Sequence, residues 1–285
     1  MALSSILCGA TLASFRDALR WDVLVLTALT TILLQVLSNF ANDYGDSQHG
    51  ADNADRIGPS RAVQAGNITA AEMKKAVIIT AILAFISGCS LLYISGLHLD
   101  LQGFFFLVLG IAAIAAAIRY TAGKDPYGYK GLGDFFVFLF FGLVGVLGSS
   151  FLYDLAMPSA LEVLPAICIG AWSAGVLNLN NMRDRVPDEA AGKITLAVRF
   201  GAVNAKKYHQ ALILTGICSL LLFVLFHELS WTSLLPLLSF PLFLKHINKV
   251  RLTTEDKALD PELKKLALST FLMSLLLFVA ALLAT

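Results

Sequence analysis

Seven uncharged or nearly uncharged runs, near residues 22–41, 76–97, 101–118, 132–153, 160–180, 208–227 and 266–284, dominate this chain. Each is long enough as a helix to cross about 30 Å of hydrocarbon, because only a helix or a closed barrel satisfies its own backbone there. Two shorter apolar stretches lie at 2–15 and 230–244. The chain is 57% hydrophobic and 14% charged, outside the balance of a soluble domain. The expected fold is therefore an all-α polytopic membrane protein. About nine transmembrane helices surround one central cavity, and residues 1–285 form a single domain.

Loop charge orients the bundle, since Lys and Arg collect on the cytoplasmic side. Arg56, Arg61, Lys74 and Lys75 follow the second helix, and Arg119, Lys124 and Lys130 follow the fourth. Arg183, Arg185, Lys193, Arg199, Lys206 and Lys207 follow the sixth, and six more basic residues lie between Lys245 and Lys265. Only Arg16 and Arg20 of the 21 basic residues fall on the other side. The first fifteen residues lack a basic stretch and read as an abbreviated helix rather than a cleaved signal. The net charge of +1 carries no nucleic-acid module. Cys8, Cys89, Cys168 and Cys218 stand apart in apolar segments without metal-ligand spacing and read as packing residues.

Against this background two Asn/Asp clusters are costly and informative: NDYGDSQHGADNAD from Asn42 to Asp55, and NNMRDRVPD from Asn180 to Asp188. Both close an apolar helix on the cytoplasmic side, and together they outline a weak internal repeat facing one cavity. Asn180, Asp184 and Asp188 share a helical face at four-residue spacing, with Pro187 placed to end or bend that helix. In the first cluster Asn42 and Asp46 repeat the spacing and read as inward-facing, with Asp52 completing the site. Asn39, Asp43 and Asp46 form a competing face. Hard oxygen donors without matching His or Cys fit Mg²⁺, which commonly works with a phosphate partner. Arg56, Arg61, Arg183, Arg185 and Lys193 are placed to meet the remaining anionic oxygens. The bland alternative for any one of these acids is an ordinary solvated loop residue.

A third segment, RYTAGKDPYGYKGLGD from Arg119 to Asp134, packs Tyr120, Tyr127, Tyr129, Lys124 and Lys130 among glycines. Its rings suit an aromatic partner or a developing cation and its lysines an anion, although an interfacial aromatic belt has the same composition. The Phe-rich run from Phe135 to Gly142 reads either as a groove wall or as lipid contact. His49, Lys74 and His209 read as interfacial residues.

These three segments resemble the UbiA superfamily of intramembrane aromatic prenyltransferases, and the resemblance extends across nearly the whole chain. Within it they look most like the 1,4-dihydroxy-2-naphthoate prenyltransferases of bacterial menaquinone synthesis. The resemblance implies that Asn42, Asp46, Asn180, Asp184 and Asp188 hold two Mg²⁺ ions or orient their ligands, with Asp43 and Asp52 assisting. Many relatives carry an aspartate where this chain has Gly50, and the quinone branch resembles it in placing the acid two positions later, at Asp52. Relatives also carry a basic, proline-containing stretch before the first helix. The implied reaction joins a polyprenyl diphosphate to 1,4-dihydroxy-2-naphthoate with loss of diphosphate and carbon dioxide. Asp46, Asp184, Lys124 and Tyr120 are then the expected catalytic residues. Arg56, Arg61, Tyr127, Tyr129, Lys130, Arg183 and Lys193 are the expected substrate contacts. The implied setting is the bacterial inner membrane, with the site facing the cytoplasm. Other readings are a prenyltransferase for another ring, such as 4-hydroxybenzoate, and a cation transporter. A transporter predicts charges near the bilayer midplane, whereas these acids gather at one end.

Overall fold

The computed structural model describes residues 1–49, 61–98, 100–227 and 231–284. Among them every regular element is helical: α1 Ala2–Phe15, α2 Trp21–His49, α3 Ala70–Ile94, α4 Leu101–Arg119, α5 Gly133–Asp154, α6 Val163–Arg183, α7 Arg185–Ala190, α8 Leu196–Phe226, α9 Phe240–Leu252 and α10 Asp260–Ala284. Of these, α2, α3, α4, α5, α6, α8 and α10 are long and apolar enough to cross a membrane. The two short segments become α1, of 14 residues, and a 3₁₀ stretch Trp231–Ser239 that runs into α9. A count of nine is reached only with these two included. The architecture is otherwise the expected one.

Although α1 is about 21 Å long and too short to span alone, it lies at the centre of the bundle. Ser4, Ser5, Cys8, Gly9, Ala10 and Ala13 are all buried, and such small side chains let neighbouring backbones approach closely inside a membrane. Helix α4 is the opposite case, with Phe104, Phe105, Val108 and Ile111 exposed as a lipid-facing surface. Helix α5 winds more widely than an α-helix over Phe138–Gly148, with π-type hydrogen bonding. Such widening is uncommon and concentrates at functional sites; here it turns Phe140, Phe141, Val144, Gly145 and Gly148 toward a groove.

The core joins α6 to α8 and α9. Trp172 is fully buried, donates its indole N–H to the Ile213 carbonyl at 3.1 Å, and stacks on Phe243 with centroids 3.8 Å apart. A Cβ on Gly216 would stand 2.1 Å from the Trp172 ring nitrogen. Gly216→Ala is therefore expected to cost about 1–3 kcal/mol through overpacking, read as a lower thermal midpoint in detergent; an unchanged midpoint would contradict this packing.

His209 is not interfacial. It is completely buried, and its Nε2 lies 2.9 Å from His246 Nε2. His246 Nδ1 meets Glu262 at 2.8 Å, and Glu262 accepts from Lys265 at 2.7 Å. This polar chain ties α8, α9 and α10 together, as buried ionisable groups in a bundle must pair with one another.

The two basic residues that break the charge pattern also find partners. Arg16 donates to Asp154 at 2.7 Å, to the Ser150 carbonyl at 3.1 Å and to Glu162. Arg20 pairs with Asp22 at 2.8 Å and caps the Ile94 carbonyl at 3.0 Å. One end of the bundle is thus closed by local ion pairs. The other end carries the basic loops and both acid clusters.

Candidate active site

Three segments meet at that second end. The last turns of α2 supply Asn42, Asp43 and Asp46; the α4–α5 loop supplies the tyrosines; and the end of α6, with α7, supplies Asn180, Asp184 and Asp188. Asp46 is 2% exposed. It accepts a hydrogen bond from the Tyr129 hydroxyl at 2.9 Å and pairs with Arg61 at 3.0 Å. The Tyr129 carbonyl accepts from the Ile194 amide at 3.0 Å, and Lys193 Nζ stands 5.6 Å from the Tyr129 ring centroid. Lys193 in turn lies 3.5 Å from Asp188. Tyr129 therefore links the two clusters: its hydroxyl touches the first, and its ring and carbonyl meet Lys193 and Ile194, just beyond the second, with Lys193 reaching Asp188.

The electrostatics agree with that geometry. Burial pushes the Asp188 carboxyl up to about 6, Lys193 opposes the shift, and the charges of Asp184 and Asp46 add to it. The Tyr120 phenol is pushed well above its ordinary value by burial and then by Asp134, Asp46 and Asp188. Acids from both clusters act on each of these groups. Tyr129→Phe is expected to lower turnover about tenfold, because a hydrogen bond to a charged group contributes about 1.5–3 kcal/mol. Unchanged turnover in that variant would show the bridge to be incidental.

The second cluster breaks earlier than Pro187. Helix α6 ends at Arg183, Asp184 leaves helical geometry with φ −95° and ψ 12°, and α7 begins at Arg185. Pro187 has no N–H to offer the Arg183 carbonyl, so it sits in the first turn of a new helix, where none is needed. The Asp188 amide still reaches the Asp184 carbonyl at 2.8 Å, which keeps the two acids on one wall.

In the first cluster Asn42 and Asp46 look toward the tyrosine loop. Asn42 Oδ1 accepts from the Thr121 hydroxyl at 3.1 Å. Asp43 turns the other way and accepts the Ala62 and Val63 amides at 3.0 and 3.3 Å. Asp52 and Arg56 lie outside the described residues, as do Gly50 and Asp55.

The basic residues divide into two sets. Arg61 and Lys193 stand within the acidic chamber. The buried Arg183 forks Asp184 at 2.9 and 2.6 Å, donates to Asn180 at 2.8 Å and pairs with Asp260. Arg185 pairs with Asp256 at 3.1 Å. Lys130 and Lys124 are exposed, Lys130 beside Asp125 at 2.5 Å. Tyr120 and Tyr127 form an edge-on pair with centroids 5.5 Å apart, and the Tyr127 hydroxyl caps the Ala116 carbonyl at 2.9 Å. The loop glycines set this pair: a Cβ on Gly128 or Gly133 would come within 2.9 or 3.0 Å of the Tyr120 ring.

Sequence reasoning passed over Thr121, Asp256 and Asp260, which position Asn42, Arg185 and Arg183. It also passed over Asp134, a buried carboxylate in the field of Tyr120 and Tyr208. The one available signal for Asp134 was its place at the end of the tyrosine loop.

From Asn42, Tyr120 and Tyr127 a cavity of about 370 Å³ runs between α2, α3, α4 and α5 toward Leu92, Phe106 and Leu152. Its length along α2, from Asn42 back to Thr27, is about 22 Å at the helical rise. The acidic chamber thus opens on an apolar groove.

A divalent cation suits the donors. Asp188 Oδ2 is buried without a hydrogen-bond partner among the described residues, and burial first, then the charges of Asp184 and Asp46, raise the proton affinity of its carboxyl. No three acidic, imidazole or thiol groups among the described residues stand close enough to enclose an ion alone. Mg²⁺ fits such an incomplete set, since it keeps several waters and completes its shell with substrate phosphates.

Fold and site together define a polytopic helical membrane protein in which a buried acidic chamber opens on an apolar groove. The model of the UbiA prenyltransferase family matches residues 2–276, and the chain belongs to that family. It is 44% identical over 278 residues to a 1,4-dihydroxy-2-naphthoate octaprenyltransferase of Haemophilus influenzae, covering 97% of this chain and 90% of that protein. It is 43% identical over 277 residues to the enzyme of the same name from Escherichia coli, covering 97% and 89%. A solved structure of a digeranylgeranylglyceryl phosphate synthase shares the fold, with a TM-score of 0.60 at 19% identity over 98% of this chain and 92% of that one.

Proposed function

We propose that this chain transfers a polyprenyl group from polyprenyl diphosphate to 1,4-dihydroxy-2-naphthoate, releasing diphosphate and carbon dioxide and giving the quinol form of demethylmenaquinone for menaquinone synthesis. The observation that carries this reading is the junction at Tyr129, where carboxylates of both clusters share one chamber opening on an apolar groove. The names of its bacterial relatives supply the acceptor. The segregated loop charge supports a chamber that faces the cytoplasm, in a bacterial inner membrane.

Asp46, Asp184 and Asp188, with Asn42 and Asn180, would hold Mg²⁺. When bound, Mg²⁺ would neutralise the diphosphate and ease its departure. Arg61 and Lys193 meet the phosphate oxygens still exposed, and Asp46 keeps Arg61 aimed there. As the allylic C–O bond breaks, its electron pair leaves with the diphosphate. The positive charge spreads along the allyl group, where the faces of Tyr120 and Tyr127 stabilise it and help exclude water. A ring carbon of the acceptor supplies the electron pair of the new C–C bond. Loss of carbon dioxide returns an electron pair to the ring and restores its aromaticity. The groove holds the isoprenoid tail in line, so that much of the rate comes from positioning.

Membranes carrying the protein, supplied with Mg²⁺, a labelled polyprenyl diphosphate and a panel of aromatic acceptors, test this. The expected product has the mass of the naphthoate plus the prenyl group less carbon dioxide, and a chelator abolishes it. Transfer to 4-hydroxybenzoate in place of the naphthoate would contradict the acceptor assignment. Metal uptake into proteoliposomes without any prenylated product would contradict the enzyme reading.

A further inference from the structure

Above the acid cluster, α2 extends the polar face of Asn42 and Asp46 by two residues that the prenyl diphosphate does not require. Gln35, Asn39, Asn42 and Asp46 follow one another at spacings of four, three and four residues, which places them on one helical face. Gln35, Asn39 and Asn42 all line the groove. Asn42 is held by Thr121 and Asp46 by Tyr129 and Arg61. Gln35 and Asn39 have no such anchor: among the described residues the hydrogen bond of either side chain is the one between them, Gln35 Nε2 to Asn39 Oδ1 at 3.4 Å.

Polar side chains that glue helices together look different here. Thr30, on the same helix, reaches across to Ser87 on α3 at 2.7 Å. The Gln35–Asn39 pair bridges nothing, and Asn39 is exposed. An isoprenoid tail has no polar atom to satisfy these amides, and polar groups at membrane depth are costly unless they serve a site. Two amides bonded to each other leave one carbonyl oxygen and one amino group turned outward. That is one acceptor beside one donor. Their complement is a hydroxyl next to a carboxylate on a flat ring. The aromatic walls of the same groove, Tyr120, Tyr127, Phe136 and Phe140, offer that ring its faces. Asn39 precedes Asp46 by about 10 Å along the helix axis, which leaves the diphosphate at the acid end and the acceptor beside it.

We infer that Gln35 and Asn39 form the acceptor-specificity subsite: Gln35 Oε1 accepts a hydrogen bond from the ring hydroxyl, and Asn39 Nδ2 donates to the neighbouring carboxylate. The inference rests on the reading that the chain prenylates 1,4-dihydroxy-2-naphthoate, and it names the residues that choose this ring.

Steady-state kinetics on the full-length protein in detergent, with farnesyl diphosphate and Mg²⁺, test it. Asn39→Leu, an apolar change that a membrane helix tolerates, raises the KM for 1,4-dihydroxy-2-naphthoate about tenfold, the scale of one lost hydrogen bond to a charged group. The KM for farnesyl diphosphate stays within about twofold, as expected for a contact the donor does not make. Asn39→Asp sets a carboxylate against the acceptor's own and raises that KM more for the naphthoate than for 1,4-dihydroxynaphthalene, which has no carboxylate. Both variants keep the wild-type thermal midpoint. An unchanged acceptor KM in both, or an equal rise in the farnesyl diphosphate KM, overturns the subsite while wild-type activity still supports the function. A wild-type protein that prenylates no dihydroxynaphthoate overturns the functional reading and this inference with it.

Discussion

Asp46→Ala and Asp184→Ala each lower kcat/KM for the prenyl diphosphate at least about a thousandfold, which corresponds to about 4 kcal/mol of transition-state stabilisation. The expectation follows from what each carboxylate touches. Asp46 is the meeting point of Arg61 and the Tyr129 hydroxyl, so its loss removes an anionic donor to the cation and frees Arg61 from its aim. Asp184 lies in the fork of Arg183, and without it a buried guanidinium loses its bidentate counter-charge and keeps only Asp260 among its acidic partners in the described residues. Asp46→Asn separates charge from shape. It keeps an oxygen for Tyr129 and removes the anion, and it falls nearly as far as the alanine variant if charge is what the site uses. A thermal midpoint measured beside turnover shows whether the fold survives. Full activity in either alanine variant would remove the metal assignment.

Gly45→Ala is the second large effect, and it acts without touching a ligand. A Cβ on Gly45 would stand 2.5, 2.6 and 2.7 Å from the Thr121 carbonyl carbon, the Thr121 oxygen and the Ala122 nitrogen. All three are backbone atoms, so no side chain can rotate aside. Helix α2 and the start of the tyrosine loop must part instead. That separation pulls on the Thr121 hydroxyl, which holds both the Ala41 carbonyl at 3.0 Å and Asn42. It also pulls on Tyr129, which holds Asp46. A displacement near 1 Å at such a site costs about a hundredfold in rate, and the overpacking itself costs about 1–3 kcal/mol of stability. The variant should therefore fold with a lower midpoint and turn over about a hundredfold more slowly. Wild-type kcat with a lowered midpoint would show that the contact stabilises the fold without tuning the site.

Much of this architecture is legible in the residues because a membrane permits so few solutions. Apolar runs mark the long helices and loop charge distinguishes their two ends, and the structure then seats Arg16 and Arg20, the two exceptions, on acids of their own end. The place of α1 is not legible from hydropathy, since 14 residues read as a truncated span whether they lie at the edge or the centre. Its serines, glycine and alanines were the better signal. Nor does periodicity reveal the widened winding of α5, which depends on what packs against it.

At the site, Asn42, Asp46, Asp184 and Asp188 stand out because carboxylates in an apolar chain require a reason. What joins them is a set of distant contacts. The Tyr129 hydroxyl meets an acid 83 residues away, and no spacing rule reports that. Arg183 reads from sequence as a free anion contact because its partner Asp260 is 77 residues on. His209 reads as interfacial for the same reason, with His246 37 residues on.

The most direct measurement of the central claim, that two clusters form one diphosphate site, is a double-mutant comparison. Equilibrium binding of a labelled polyprenyl diphosphate in Mg²⁺ is measured for wild type, Asp46→Ala, Asp184→Ala and the double variant. If both acids serve one site, the double variant loses little more than the worse single one, since parts of one unit are not additive. Losses that multiply, with each cluster weakening binding independently of the other, would contradict it.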